Sequence, residues 1–139
     1  LSNAARSGSL ACLKYTFNII KATDTDNWTS SSAAGSGSLE CLKYTHEVIK
    51  ATYNNYTLCF AAKSGSLSCL KYAFNVIKAI DYEYTLCYAA LSGNTSCLKY
   101  AHNVIKAADV HKLTLGYADE SKNVSCIEYC KKHFCKQEI

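Results

Sequence analysis

Residues 57–72 read TLCFAAKSGSLSCLKY. A short stretch rich in Ala and Leu runs into Ser-Gly-Ser, and a second apolar-periodic stretch follows. Residues 56–63 are long enough for about two helical turns. Gly65 supplies a turn, and Ser66 is placed to cap the N-terminus of the next helix. In residues 67–79 (LSCLKYAFNVIKA), Leu70, Ala73 and Ile77 share one stripe, with Cys69, Tyr72 and Val76 beside it. That spacing is helical rather than alternating. Residues 80–84 (IDYEY) form a polar, aromatic link to what comes next.

The same phrase recurs along the chain. Leu-Lys-Tyr begins at Leu13, Leu42, Leu70 and Leu98, and Ile127 opens a degenerate fifth copy, in steps of 29, 28, 28 and 29 residues. A second phrase keeps phase with it: LSNAA at 1–5, SSSAA at 30–34, LCFAA at 58–62, LCYAA at 86–90 and LGYAD at 115–119. A fixed period of this length marks a stacked array, in which each unit buries its apolar face only against its neighbours. The expectation is an all-α solenoid of helix-turn-helix repeats forming one domain. Its units run approximately over 1–28, 29–56, 57–84, 85–113 and 114–139, the first incomplete and the last a cap.

These residues resemble the ankyrin repeat. Leu58, Ala61, Ala62 and Gly65 fall where that motif carries its Leu, paired Ala and turn Gly. Residues 27–44 are closer still to the shortened repeats of giant DNA viruses and some protists. The resemblance covers the chain from Leu1 to about Cys130. It implies stacked inner and outer helices that bind a partner protein, inside a cell or a virion. A period of 28 leaves little room for the β-hairpin finger of a unit of about 33 residues. The glycine that usually ends the outer helix is missing, so that helix is predicted to run on through residues 75–79 without a left-handed stop. A generic α-hairpin array is the alternative.

Composition narrows the function. The chain has 139 residues, 49% of them apolar, and a formal charge of +4. No apolar run approaches the roughly 18 residues of a membrane span, and the basicity falls short of a nucleic-acid binder. No signal-peptide pattern opens the sequence. Proline and methionine are absent. Sequons stand at Asn27, Asn55, Asn94 and Asn123, and would matter only in a secreted protein.

Nine cysteines invite a disulfide or metal reading. Cys12, Cys41, Cys69, Cys97 and Cys126 share one phase, and Cys59 and Cys87 share another. Neighbouring units lie about 10 Å apart, whereas disulfide Cα atoms must come within about 7 Å. The ladder is therefore predicted to be free thiols packed as small apolar residues, as in a reducing compartment. The tail offers Cys126, Cys130, His133 and Cys135 as candidate zinc ligands. The first three share one helix face, but a single helix rarely supplies four ligands, and His133 takes the phase of Val76 and Val104, read as core. His46 and His102 share the phase of Phe17 and Phe74, and His111 falls in a loop. None has a paired acid or nucleophile at a meaningful spacing, so no catalytic residue or cofactor is assigned.

Lys14, Lys43, Lys71 and Lys99 form one basic row, and Lys21, Lys50, Lys78 and Lys106 a second, seven residues on. Both are predicted to lie on one exposed face, without interleaved aromatics. Asp24, Asp26, Asp81, Glu83 and Asp109 fall in the opposite loops. Variation between units collects at Trp28, Tyr53, Tyr56, Phe60, Lys63, Tyr82, Tyr84, Tyr88, Leu91 and Tyr117. In a repeat protein the framework is fixed by stacking and contacts evolve on the free side. These residues are the candidate partner-binding set. Glu120, Lys122, Glu128, Lys131 and Lys132 give the last unit a cap-like polarity. The N-terminal end lacks this, which predicts either preceding repeats or docking, including self-association. The reading is a non-enzymatic interaction module, with an end-to-end assembly subunit as the alternative.

Overall fold

The computed structural model describes residues 1–135 and is all-helical over them. Five short inner helices alternate with five outer ones: α1 (Ser2–Arg6), α2 (Leu10–Asn18), α3 (Thr29–Gly35), α4 (Leu39–Tyr44), α5 (Thr57–Lys63), α6 (Leu67–Asn75), α7 (Thr85–Leu91), α8 (Thr95–Tyr100), α9 (Thr114–Ser121) and α10 (Val124–Phe134). Helices α4 and α8 continue into single wide turns, Thr45–Ile49 and Ala101–Ile105. No strand occurs among the described residues.

Each inner helix packs against the next inner helix, each outer helix against the next outer one, and each pair against itself. The inner row approaches closely because its facing residues are small: Ala5, Ala33, Ala34, Ala61, Ala62, Ala89 and Ala90 are fully buried. Leu13, Leu42, Leu70 and Leu98 fill the space between the two rows. Each such leucine contributes about 1.5–3 kcal/mol of burial. The expected turn chemistry is present. Gly65 has φ of +71°, and Ser66 accepts a hydrogen bond from the Cys69 N–H. Ser9, Ser38, Asn94 and Asn123 cap their helices in the same way.

The outer helices do not run on as the sequence predicts. Lys21, Lys50, Lys78 and Lys106 all have φ near +60° (59°, 57°, 60° and 62°) and stop the helix in the left-handed region. The final turn widens before this stop. The Ile77 N–H bonds the Tyr72 carbonyl five residues back, and the Ala79 N–H reaches the Ala73 carbonyl six back. The widening turns Ile77 inward and swings Val76 out, to 51% exposure. Val104 is likewise 50% exposed, so the phase that His133 shares is surface and not core. The second lysine row is thus a row of helix terminators rather than an extension of the first row's face.

Two cross-unit networks bind the stack. Fully buried Thr29, Thr57, Thr85 and Thr114 each open an inner helix. The preceding unit contacts each of them: Ser2 to Thr29 at 3.4 Å, Ser31 to Thr57 at 3.0 Å, Cys59 to Thr85 at 3.3 Å and Cys87 to Thr114 at 3.5 Å. The loop acids close the same ladder. Thr29 and Thr114 donate at 2.7 Å to Asp24 and Asp109, which are therefore structural groups.

The second network holds the tyrosine of each Leu-Lys-Tyr. Lys14, Lys43, Lys71 and Lys99 lie 5.6, 5.9, 5.7 and 6.0 Å from the ring centres of Tyr44, Tyr72, Tyr100 and Tyr129 in the following unit. Phe17, His46, Phe74 and His102 meet the same rings edge-on. Asn18, Glu47, Asn75 and His102 bond the phenol oxygens. The lysine row is therefore interleaved with aromatics, contrary to the reading from the sequence, because each ring comes from the next unit. Cation–π contacts of this exposed kind stabilise by about 0.5–1 kcal/mol each.

Candidate binding face

The inner helices and the loops before them carry most of the variable aromatic residues, and the structure brings these together. Trp28 stacks on Tyr56 at 5.4 Å between centroids, and Tyr56 meets Tyr82 at 5.3 Å. Phe60 joins Trp28, Tyr56 and Tyr88 at 5.9, 6.0 and 6.5 Å. Tyr84 links Tyr82 to Tyr88, and Tyr88 reaches Tyr117 at 6.1 Å. The result is one continuous strip of seven rings along four inner helices, α3, α5, α7 and α9, and the loops before them. Trp28 and Tyr56 are exposed and the other five half-buried. The rings thus pack on one another and still present surface.

Lys63 belongs to the strip, its ammonium 5.5 Å from the centre of the Tyr88 ring. Leu91 follows at the end of α7, half-buried. Tyr53 stands apart: it is exposed and has no ring partner among the described residues. His111, absent from the candidate set, extends the strip by stacking on Tyr84 at 5.0 Å, and its Nε2 lies 2.8 Å from Glu83. This corrects the expectation that no histidine has a paired acid. The partner lies 28 residues away, one period, where a search within a unit does not reach. The pair is exposed.

The candidate zinc ligands do not converge. Cys126 and Cys130 are buried, whereas His133 and Cys135 are exposed, with His133 packed 4.3 Å from Tyr129. All nine cysteines are free. Burial pushes the Cys59 and Cys97 thiols up to about 11 and Cys130 up to about 12, which keeps them protonated. Cys12 departs from the ladder's expected burial and is exposed, because no unit packs over it. Asn94 and Asn123 spend their side chains on helix caps, and Asn94 Nδ2 also donates to the Gly65 carbonyl at 2.8 Å. A glycan on that nitrogen would displace the bond.

A hollow opens beside the strip. Unit 2 offers Ser32 and Gly35 at the positions where unit 3 offers Phe60 and Lys63. The missing bulk leaves an open depression of roughly 580 Å³ lined by Arg6, Ser32, Gly35, Phe60, Lys63 and Ser64. Residues at this register escape a search for aromatics. The visible signal was the in-phase series Arg6, Gly35, Lys63, Leu91, Glu120.

No family model matches the chain, and no curated protein matches it in sequence. What fold and site define is an all-helical, repeat-built chain with a continuous aromatic strip along its inner helices. Among the described residues no helix is long and apolar enough to cross a membrane.

Proposed function

We propose that the chain is a non-enzymatic interaction module, a solenoid of short ankyrin-type repeats that holds a protein partner against its inner helices and adjoining loops. The observation that carries this reading is the strip from Trp28 to Tyr117. Tyr and Trp are the usual anchors of protein interfaces. Here seven rings lie on the inner helices or at their N-terminal ends and pack on one another, so little ordering remains to be done on binding. A protein partner is favoured over a nucleic acid because the formal charge is only +4 and each lysine of the Leu-Lys-Tyr row lies over a tyrosine ring of the following unit. Seven cysteines buried as small apolar residues, none of them in a disulfide, fit a reducing intracellular compartment.

The test compares proteins captured by the wild-type chain with those captured by Tyr82→Ala, Tyr84→Ala, Tyr88→Ala, both checked for helicity. Loss of a defined partner from the folded variant is expected. An unchanged set of captured proteins would refute the assigned face.

The second reading is end-to-end assembly, which the exposed N-terminal face favours. Tyr15 is 58% exposed, while its counterparts in later units sit in their cradles. Light scattering over a dilution series separates the two readings, because an adaptor keeps one mass at all concentrations.

A further inference from the structure

We propose that the hollow between Arg6 and Lys63 is an anion subsite that receives a carboxylate side chain from an acidic segment of the partner. The inference rests on the inner-helix face being the partner surface, and it names what one part of that face recognises.

Three observations meet at this place. The first is shape: Ser32 and Gly35 remove bulk from unit 2 alone, and Phe60 walls the resulting depression. A Cβ built on Gly35 would already lie 3.5 Å from Phe60, so any larger residue there occupies the hollow. The second is charge. Arg6 and Lys63 both line the hollow, and neither has a carboxylate partner among the described residues. The third is an orphaned donor. Ser32 is 3% exposed, and its hydroxyl has no hydrogen-bond partner. A buried hydroxyl left unpaired costs about 1–3 kcal/mol, far more than a surface one. Ser64, beside it, donates to the Ala61 carbonyl and accepts from Ser66, so its capacity is used.

A carboxylate suits this place: its oxygens accept from the Arg6 guanidinium and face the floor where the Ser32 hydroxyl lies unpaired, while the Lys63 ammonium, 5.5 Å from the Tyr88 ring centre, adds positive potential at the rim. The row also carries a direction. From Arg6 through Lys63 and Leu91 to Glu120, it passes from positive through apolar to negative, with Asp119 beside the far end. A bound segment is therefore acidic at the end lying on units 1 to 3, and apolar over the strip.

The test uses the full chain and a displayed library of random twelve-residue peptides, with affinities of the selected peptides read by fluorescence anisotropy. The variants are Arg6→Gln, Lys63→Gln together, Gly35→Leu to fill the hollow, and Lys14→Gln, Lys43→Gln as a control on the outer helices. Helicity is checked for each. Selected peptides should be enriched in Asp and Glu, and should bind the Arg6, Lys63 variant at least about tenfold more weakly. They should also weaken on Gly35→Leu and with rising salt, and bind the control as the wild type. Selected peptides that lack acidic residues, or that bind the Arg6, Lys63 variant as tightly as the wild type, would overturn the subsite. If such peptides still lose affinity to Tyr84→Ala, Tyr88→Ala, the partner face stands without it. A chain that selects no peptides at all overturns both.

Discussion

Replacing Lys78 by glycine should make this protein more stable. Lys78 has φ of +60° just beyond α6 and is exposed, so its side chain contributes no packing that a substitution would lose. An L-residue in the left-handed region carries a steric cost of roughly 1–2 kcal/mol. Glycine removes that cost but loses more unfolded-state entropy, by roughly 0.5–1 kcal/mol. The net expectation is a gain of about 0.5–1 kcal/mol. Lys21, Lys50 and Lys106 occupy the same conformation one period apart. Distant sites add, so the four glycines together should gain about 2–4 kcal/mol. Urea unfolding followed by far-UV circular dichroism gives the measurement. The midpoint should rise with each glycine while the slope stays constant. Lys71→Gly, inside α6 and over Tyr100, is the contrast and should lower the unfolding free energy by about 1 kcal/mol or more, and the midpoint with it. If Lys78→Gly lowers the midpoint as Lys71→Gly does, the helix runs on through residue 78 and the left-handed stop is wrong.

Three further outcomes are expected. Thr45 is buried with an unpaired hydroxyl, at a position where units 3 and 4 have Ala73 and Ala101. Thr45→Ala should hold or raise stability, whereas Thr85→Val, which strips partners from Cys59 and the Tyr82 N–H, should cost about 1–3 kcal/mol in the same assay. A thiol-reactive disulfide reagent added to the native protein should titrate Cys12 and Cys135 promptly, and the buried seven only on unfolding. Burial, with His133 and Lys106 adding to it, holds His102 below its ordinary value. A histidine depressed in the fold keeps its full contribution above about pH 6.5 and loses it as pH falls through the lower folded value. His102→Phe, the residue type of units 1 and 3 at this position, should therefore flatten the acid side of the stability profile relative to wild type.

The period, the helix pairs and the caps were legible because they depend on short-range patterns. Gly65 with Ser66 is a local turn and cap, and Leu70, Ala73 and Ile77 are close enough together for one helical stripe to predict their burial. The stripe misled only where the helix changed its width. A wheel of constant pitch sets Val76 beside the core, and the wide final turn rotates it out. What remained illegible lies across units. The Tyr100 cradle is assembled from Lys71, Phe74 and Asn75, each at least 25 residues away. The threonine at the head of each inner helix stands in phase at 29, 57, 85 and 114, but its role needs the preceding unit's hydroxyl or thiol. The aromatic half of the candidate face was found from variation between units. The hollow was missed because it consists of residues that are small.

The cradle also has a direction, and that direction separates the two ends of the array. In each of the first four units the Lys, the Phe or His, and the Asn or Glu reach forward, and the tyrosine of the next unit is received. The last unit places Glu128, Lys131 and Lys132 at the cradle positions, all exposed, so the first position changes from a lysine to a carboxylate. A second copy stacked head to tail would set the negative face of the Tyr15 ring against Glu128, where each internal cradle supplies a lysine, and so would lose the cation–π contact. For Tyr15 the last described unit thus lacks the lysine that receives each internal tyrosine. The aromatic strip carries no such mismatch, since its rings already pack on one another and leave their outer edges for a partner to cover.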